Sequence, residues 1–217
     1  MARLGTILIL ALAFAWFVAA PVSHADYRML FKAPVGFLEK TQYMEVRERT
    51  IREFSLGYDK HPSPRVRVWY KDMFYISKAN QLLQLKQIFS ITNLRIEYRT
   101  ERTDHWATVG ESIARGYGDC DDFVAAYLTA AVALGYKKNG LWWVVGYVNS
   151  RRGRIGHAIA IIVLDDGSAH ILDNRAWRVI PMSEYFLLDP VYSINVGERA
   201  VWTGILVDSR GNPAKAH

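Results

Sequence analysis

The chain has 217 residues, 51% hydrophobic and 22% charged, with a formal net charge of +6. This composition supports one sizeable core and excludes a largely disordered or low-complexity polymer. A single cysteine rules out an internal disulfide, and the moderate basic excess fits an acidic surface, an anionic cell-wall polymer, an acidic protein partner or a merely solvated face, rather than nucleic acid.

Arg3 precedes an unbroken apolar run from Ile7 to Ala20, and Ser23-His24-Ala25 places small residues where a signal peptidase reads. Residues 1–25 are therefore expected to be a signal peptide cut before Asp26, which sends the mature protein to the periplasm. A retained anchor is the competing reading, but the run is shorter than the ~20 apolar residues of a spanning helix and ends at Pro21. Residues 26–100 are expected to form an N-terminal helical part of the same domain as a catalytic core over residues 101–217.

Between Tyr27 and Pro64 the pattern is mixed, with Val35-Gly36 and His61-Pro62-Ser63-Pro64 marking loops. Ala79 to Ser90 carries Leu82, Leu83, Leu85, Ile88 and Phe89 at helical spacing, and Leu94, Ile96 and Tyr98 alternate as in a short extended segment; both are expected in the core. Asp121 to Leu134 is rich in helix formers, apolar on nearly every face and closed by Gly135, which predicts a buried central helix. Asp119 is its expected N-cap, Gly116 and Gly118 permit a tight approach, and Cys120 falls in the first turn.

Runs of strand character follow at Leu141 to Val148, Gly156 to Leu164, Ala169 to Leu172, Trp177 to Ile180 and Ala200 to Val207. The fold class is thus α+β, a central buried helix packed on an antiparallel sheet. Asp165-Asp166-Gly167 makes a three-residue hairpin loop in which Gly167 takes the left-handed conformation. Under that pairing Leu164 faces Ser168 and Ile159 faces Asp173, so His157 and Asp173 share one sheet face, diagonally opposed.

A lone cysteine in an exported protein is most often a small buried hydrophobe. Its neighbours argue otherwise. A thiol attacks as thiolate, favoured by a helix N-terminus and by a nearby imidazolium. If the polar sheet face packs against the start of the helix, Cys120, His157 and Asp173 become nucleophile, base and orienter. His24, His61, His170 and His217 fit structural or terminal positions, whereas His105, beside Trp106, is a candidate cleft residue.

Asp119, Asp121 and Asp122 surround the sulfur in sequence. Helix-dipole placement and capping account for one or two of them, yet nearby negative charge opposes a thiolate. A bound divalent cation would relieve this, and an oxygen-only donor set suits calcium outside the cell.

Trp106-Ala107-Thr108, Gly118-Asp119-Cys120-Asp121-Asp122-Phe123, Gly156-His157-Ala158, Leu172-Asp173-Asn174 and Pro190 to Asn195 together resemble the bacterial transglutaminase-like cysteine proteinases, a family that includes the LapG-type periplasmic proteases. The resemblance implies a papain-like, transglutaminase-type fold, a Cys120, His157, Asp173 triad, and calcium at Asp119, Asp121 and Asp122. Members of that type cut large surface adhesins near paired alanines and are held by an inner-membrane receptor responsive to a cyclic dinucleotide; the expected partners are accordingly a protein substrate of adhesin type and such a receptor. Two other readings stay open: acyl transfer to an amine, or cutting of a cell-wall peptide, by the same triad, and an inactive calcium-binding interaction module.

Overall fold

The structure, a computed structural model, describes residues 30–32, 42–101, 105–151, 153–197 and 201–205. The apolar N-terminal run and the expected cut before Asp26 lie outside them. Among the described residues no helix is long and apolar enough to cross a membrane.

The front of the chain is helical: α1 (Gln42–Leu56), α2 (Pro64–Phe74) and α3 (Gln81–Arg95). Ser63-Pro64, expected to lie in a loop, instead starts α2, because proline's fixed φ suits the first helical position, where its missing N–H costs nothing. Asn80 caps α3, its side chain accepting the Leu83 N–H at 2.9 Å. That helix runs on to Arg95, so Leu94 is helical and 77% exposed; of the three residues expected in an extended core segment only Ile96 is buried, and Tyr98 is exposed in the two-residue strand β2 (Glu97–Tyr98). A further helix, α4 (Val109–Arg115), follows, and β3 (Tyr117–Gly118) then pairs with β2 in parallel.

Helix α5 (Cys120–Ala133) is the central element, with Asp119 at its N-cap and most of its side chains buried. After it come β4 (Leu141–Ser150), β5 (Gly153–Val163), β6 (Ala169–Leu172), β7 (Ile180–Pro181), β8 (Leu188–Asn195) and β9 (Val201–Ile205). With β1 (Leu30–Lys32) they form a seven-stranded antiparallel sheet in the order β1-β9-β8-β4-β5-β6-β7. Trp177, expected to open a strand, is 86% exposed and lies before β7.

The hairpin register is the expected one. Leu164 N–H donates to Ser168 O at 2.8 Å, Gly167 sits at φ 83°, and the ladder runs Val163↔Ala169 to Ala160↔Leu172. Alternation along β5 then divides the core. Ala158, Ala160 and Ile162, with Leu172, face α5 and join a large cluster that also takes in Trp69, Leu85, Ile88 and Tyr127. Ile159, Ile161 and Ile171 face the other way, onto a smaller cluster with Val144, Val148, Tyr185 and Leu188.

Candidate active site

Cys120 is the first residue of α5, partly exposed and unpaired with another cysteine. The approach to it depends on glycine twice. Gly116 ends α4 at φ 77°, in the left-handed region, and a Cβ on Gly118 would collide with the Asp122 carboxylate. The Cys120 side chain packs against the apolar cluster that contains Ala158, whose backbone N–H favours the thiolate. Since Leu164 N–H points toward β6, the even-numbered residues of β5 do so as well, and Ala158 lies just beyond the last β5–β6 pair, Ala160↔Leu172. The sulfur therefore occupies the edge of β5 at the place where β6 stops covering it.

His157 is the adjacent residue. Alternation sets its side chain with Ile159 and Ile161, on the sheet face away from α5. The expected packing of that polar face against the helix start is thus not what is found: α5 lies on the opposite, apolar face, and its first residue meets β5 at the strand edge. The reason is that Ala158, Ala160, Ile162 and Leu172 offer the apolar surface a largely apolar helix requires. The expected pairing of His157 with Asp173 is present, with His157 Nε2 and Asp173 Oδ1 at 2.8 Å and both residues buried. Gly146 pairs with His157 on β4, at a bulge where a Cβ would strike the β8 backbone at Asp189.

Asp173 is held by more than the histidine. Its Oδ1 also accepts the Arg175 N–H at 2.9 Å, and its Oδ2 accepts the Tyr185 hydroxyl at 2.7 Å. Burial alone would raise this carboxyl, but His157, the Arg175 N–H and Tyr185 together hold it below the usual carboxylate range. Tyr185 pays for this with a phenol pushed far above its ordinary value, by burial first and by the Asp173 charge second. Tyr185 was not singled out in the sequence, because it follows a short turn, Met182–Glu184, and reaches Asp173 only through the tertiary fold.

The Cys120 thiol is pushed up to about 12, chiefly by burial, then by the carboxylates of Asp121 and Asp119, with the Ala158 and Cys120 N–H groups opposing. The helix N-terminus by itself therefore does not produce the lowered thiol expected from sequence. Asp119, Cys120 and Asp121 bring ligand atoms within 4.8 Å of one another, and Asp119 Oδ1 and Asp121 Oδ2 are buried without hydrogen-bond partners. Asp121 is raised by burial and by the adjacent Asp119 carboxylate. Two orphaned carboxylate oxygens facing each other fit a hard divalent cation.

Asp122 is placed differently. Its Oδ1 accepts the Ala107 N–H and its Oδ2 the Asp119 N–H, each at 3.2 Å, and Oδ2 is also ion-paired with Arg115. Arg115 in turn reaches Glu101 at 2.6 Å. Of the three aspartates considered as metal ligands, this one is tied to protein donors and locks the loop before α5.

Trp106 stacks on Trp143, with ring centroids 4.6 Å apart and planes 5° from parallel, while His105 is half exposed beside Glu111. His61 accepts the Ser63 N–H, and His170 is buried against Ser168. Near the start of β5, Arg154 pairs with Asp189 and covers the Tyr147 ring. Glu53, missed in the sequence, accepts the Thr108 hydroxyl at 2.5 Å and the Gly110 N–H at 3.1 Å, anchoring the start of α4. Thr108-Val109-Gly110-Glu111 does carry a readable signal there, a capping box that forms in both directions.

A cysteine at the mouth of a buried helix, next to a strand histidine held by an aspartate, on a helix-and-antiparallel-sheet fold of transglutaminase type, defines the class of cysteine peptidases. The sequence profile of the bacterial transglutaminase-like cysteine proteinases matches residues 67–188, and the chain belongs to that family. Calcium-bound LapG of Legionella pneumophila is similar in structure, with TM-score 0.57 and 23% identity over 73% of this chain and 87% of that one. The EGTA-treated form of the same protein gives TM-score 0.54 and 24% identity over 82% and 93%. No curated protein matches the chain in sequence.

Proposed function

We propose that the protein is an exported, calcium-dependent peptidase that cuts a peptide bond in a periplasmic or cell-surface protein, with Cys120 as nucleophile, His157 as base and Asp173 as orienter. The observation that carries this reading is at β5: Cys120 packs against the cluster of Ala158, the residue that follows a histidine whose Nε2 is already held by Asp173. That leaves Nδ1 to take the thiol proton. The thiolate attacks the scissile carbonyl, and the backbone N–H of Cys120 at the helix start donates to the developing oxyanion. His157 then protonates the leaving amine, and water releases the acyl group under the same base.

Asp119 and Asp121 would hold the cation, which when bound offsets the negative charge beside the sulfur. The Legionella structures, described as calcium-bound and EGTA-treated, support a calcium role in this fold. An adhesin-type substrate and an inner-membrane receptor come from the family resemblance, and periplasmic location from the N-terminal sequence.

The test is cleavage of periplasmic and surface proteins by wild type and Cys120→Ala, with and without chelator. New protein fragments should form only with wild type, vanish on chelation and return with calcium. Undiminished cleavage by Cys120→Ala would end the proposal, and cleavage indifferent to chelator would remove calcium from it.

A further inference from the structure

Strand β5 is longer than the strand that covers it. The β5–β6 ladder ends at Ala160↔Leu172, because Asp173 closes a turn: its carbonyl accepts the Ala176 N–H at 2.9 Å and its carboxylate the Arg175 N–H. Among the described residues, no strand pairs with this edge of β5 from Gly153 to Ala158.

The even-numbered residues point their N–H and C=O groups outward along that edge. The Ala158 N–H lies toward the Cys120 sulfur, and among the described residues no backbone partner takes the outward groups of Arg154 and Gly156. Gly153 to Gly156 are exposed, and a Cβ on Gly156 would meet nothing within 4 Å. An unpaired edge of this kind is a template for another extended chain. Here the template runs directly into the sulfur.

We propose that this free edge of β5 is the substrate-binding site for an extended polypeptide segment, which adds as a strand beyond β6 through main-chain hydrogen bonds to Gly156 and Arg154. The inference rests on the peptidase reading above and names its substrate class: an unfolded stretch of chain, not a folded surface and not a side-chain amine. The register follows from the geometry. The substrate residue opposite Ala158 lies at the sulfur, and those opposite Gly156 and Arg154 are two and four residues along, roughly 7 and 14 Å away at strand rise. Only alternate residues of the substrate bond to β5.

The experiment uses a randomised library of unstructured peptides. In Cys120→Ala protein, amide hydrogen exchange at Arg154 and Gly156 should slow on adding the library, and unchanged exchange at both would overturn the proposal whether or not wild type cleaves anything. With wild type and the best-cleaved peptide, N-methylation should abolish cleavage at alternate residues on one side of the scissile bond and be tolerated at those between; uniform tolerance would also overturn it. Gly156→Pro should lower kcat/KM about ten-fold or more, the loss of one hydrogen bond with its partner left unsatisfied. Iodoacetamide labelling of Cys120 and the melting temperature serve as controls for folding of the proline variant. Slowed exchange without any cleavage would keep the edge site and discard the peptidase reading; cleavage with full tolerance of N-methylation would do the reverse.

Discussion

Tyr185 donates its hydroxyl proton to Asp173 Oδ2 at 2.7 Å, on the oxygen that His157 does not use. The aspartate is thus held from two sides, and it holds the imidazole through Nε2. Tyr185→Phe keeps the ring in the apolar cluster and removes one charge-assisted hydrogen bond, worth about 1.5–3 kcal/mol. The expected result is a fall in kcat of about ten-fold with KM little changed, read by steady-state kinetics on a cleavable peptide. The acid limb of the pH–rate profile should also move, which a purely packing role would not produce. Equal profiles for the two proteins would show that Asp173 is positioned without the phenol.

The cation proposed at Asp119 and Asp121 would bear on the thiol itself. Without a cation, burial first, and then the Asp121 and Asp119 carboxyls, hold the Cys120 thiol above its ordinary value. A bound cation cancels their charge and leaves burial as the opposing cause. Iodoacetamide labelling of Cys120 at pH 7.5 should therefore quicken by about ten-fold or more on adding calcium and slow again with EGTA, a one-unit fall in pKa being a ten-fold rise in thiolate. In Asp121→Asn the metal-free rate should exceed that of wild type, and the calcium response should be largely lost. A labelling rate blind to calcium would separate the carboxylates from the sulfur's reactivity.

Acid stability follows from Asp173. Its folded-state pKa lies below the ordinary value, so ionisation is favoured by folding. The stabilisation is present above the unfolded value of about 3.9 and is lost as pH falls through the folded pKa. Urea melts on wild type and Asp173→Asn should differ most above the unfolded value, and the two curves should converge as the pH falls through the folded-state value and the carboxylate is protonated. A gap that persisted unchanged at low pH would assign the stabilisation to packing instead.

Arg115 is the countercharge to a fully buried carboxylate. Arg115→Met leaves Asp122 unpaired inside the protein, which costs about 3 kcal/mol or more when one partner of a buried pair is removed. Adding Asp122→Asn should recover part of that loss, because the amide oxygen still accepts the Ala107 or Asp119 N–H without a charge to bury. Chemical denaturation of the two single variants and the double variant reads the coupling; strict additivity would mean that the pair contributes little.

Much of this site can be read along the chain because its cues are local. A run of helix formers behind Asp119 fixes where α5 begins, and the three-residue loop with Gly167 fixes the register that brings His157 to Asp173. Other features resist such reading. Tyr185 and Glu53 touch their partners across 12 and 55 residues, with no periodicity to announce them. Leu94 looked like core in an extended segment, yet α3 ran one turn further and left it in solvent. Asp119, Asp121 and Asp122 are indistinguishable by type, and only the position of Arg115 separates the third from the other two.

The sequence by itself determined the helix start that carries the sulfur, the hairpin that pairs histidine with aspartate, and the α+β class, because capping, turn chemistry and hydrophobic period act over a few residues. Tertiary structure alone decided that α5 lies on the apolar face of the sheet, that Cys120 meets β5 at its edge, and that among the described residues no strand covers this edge beyond β6. Those depend on where apolar surfaces find one another and where a turn ends a ladder, and contacts between distant segments leave no mark on their spacing.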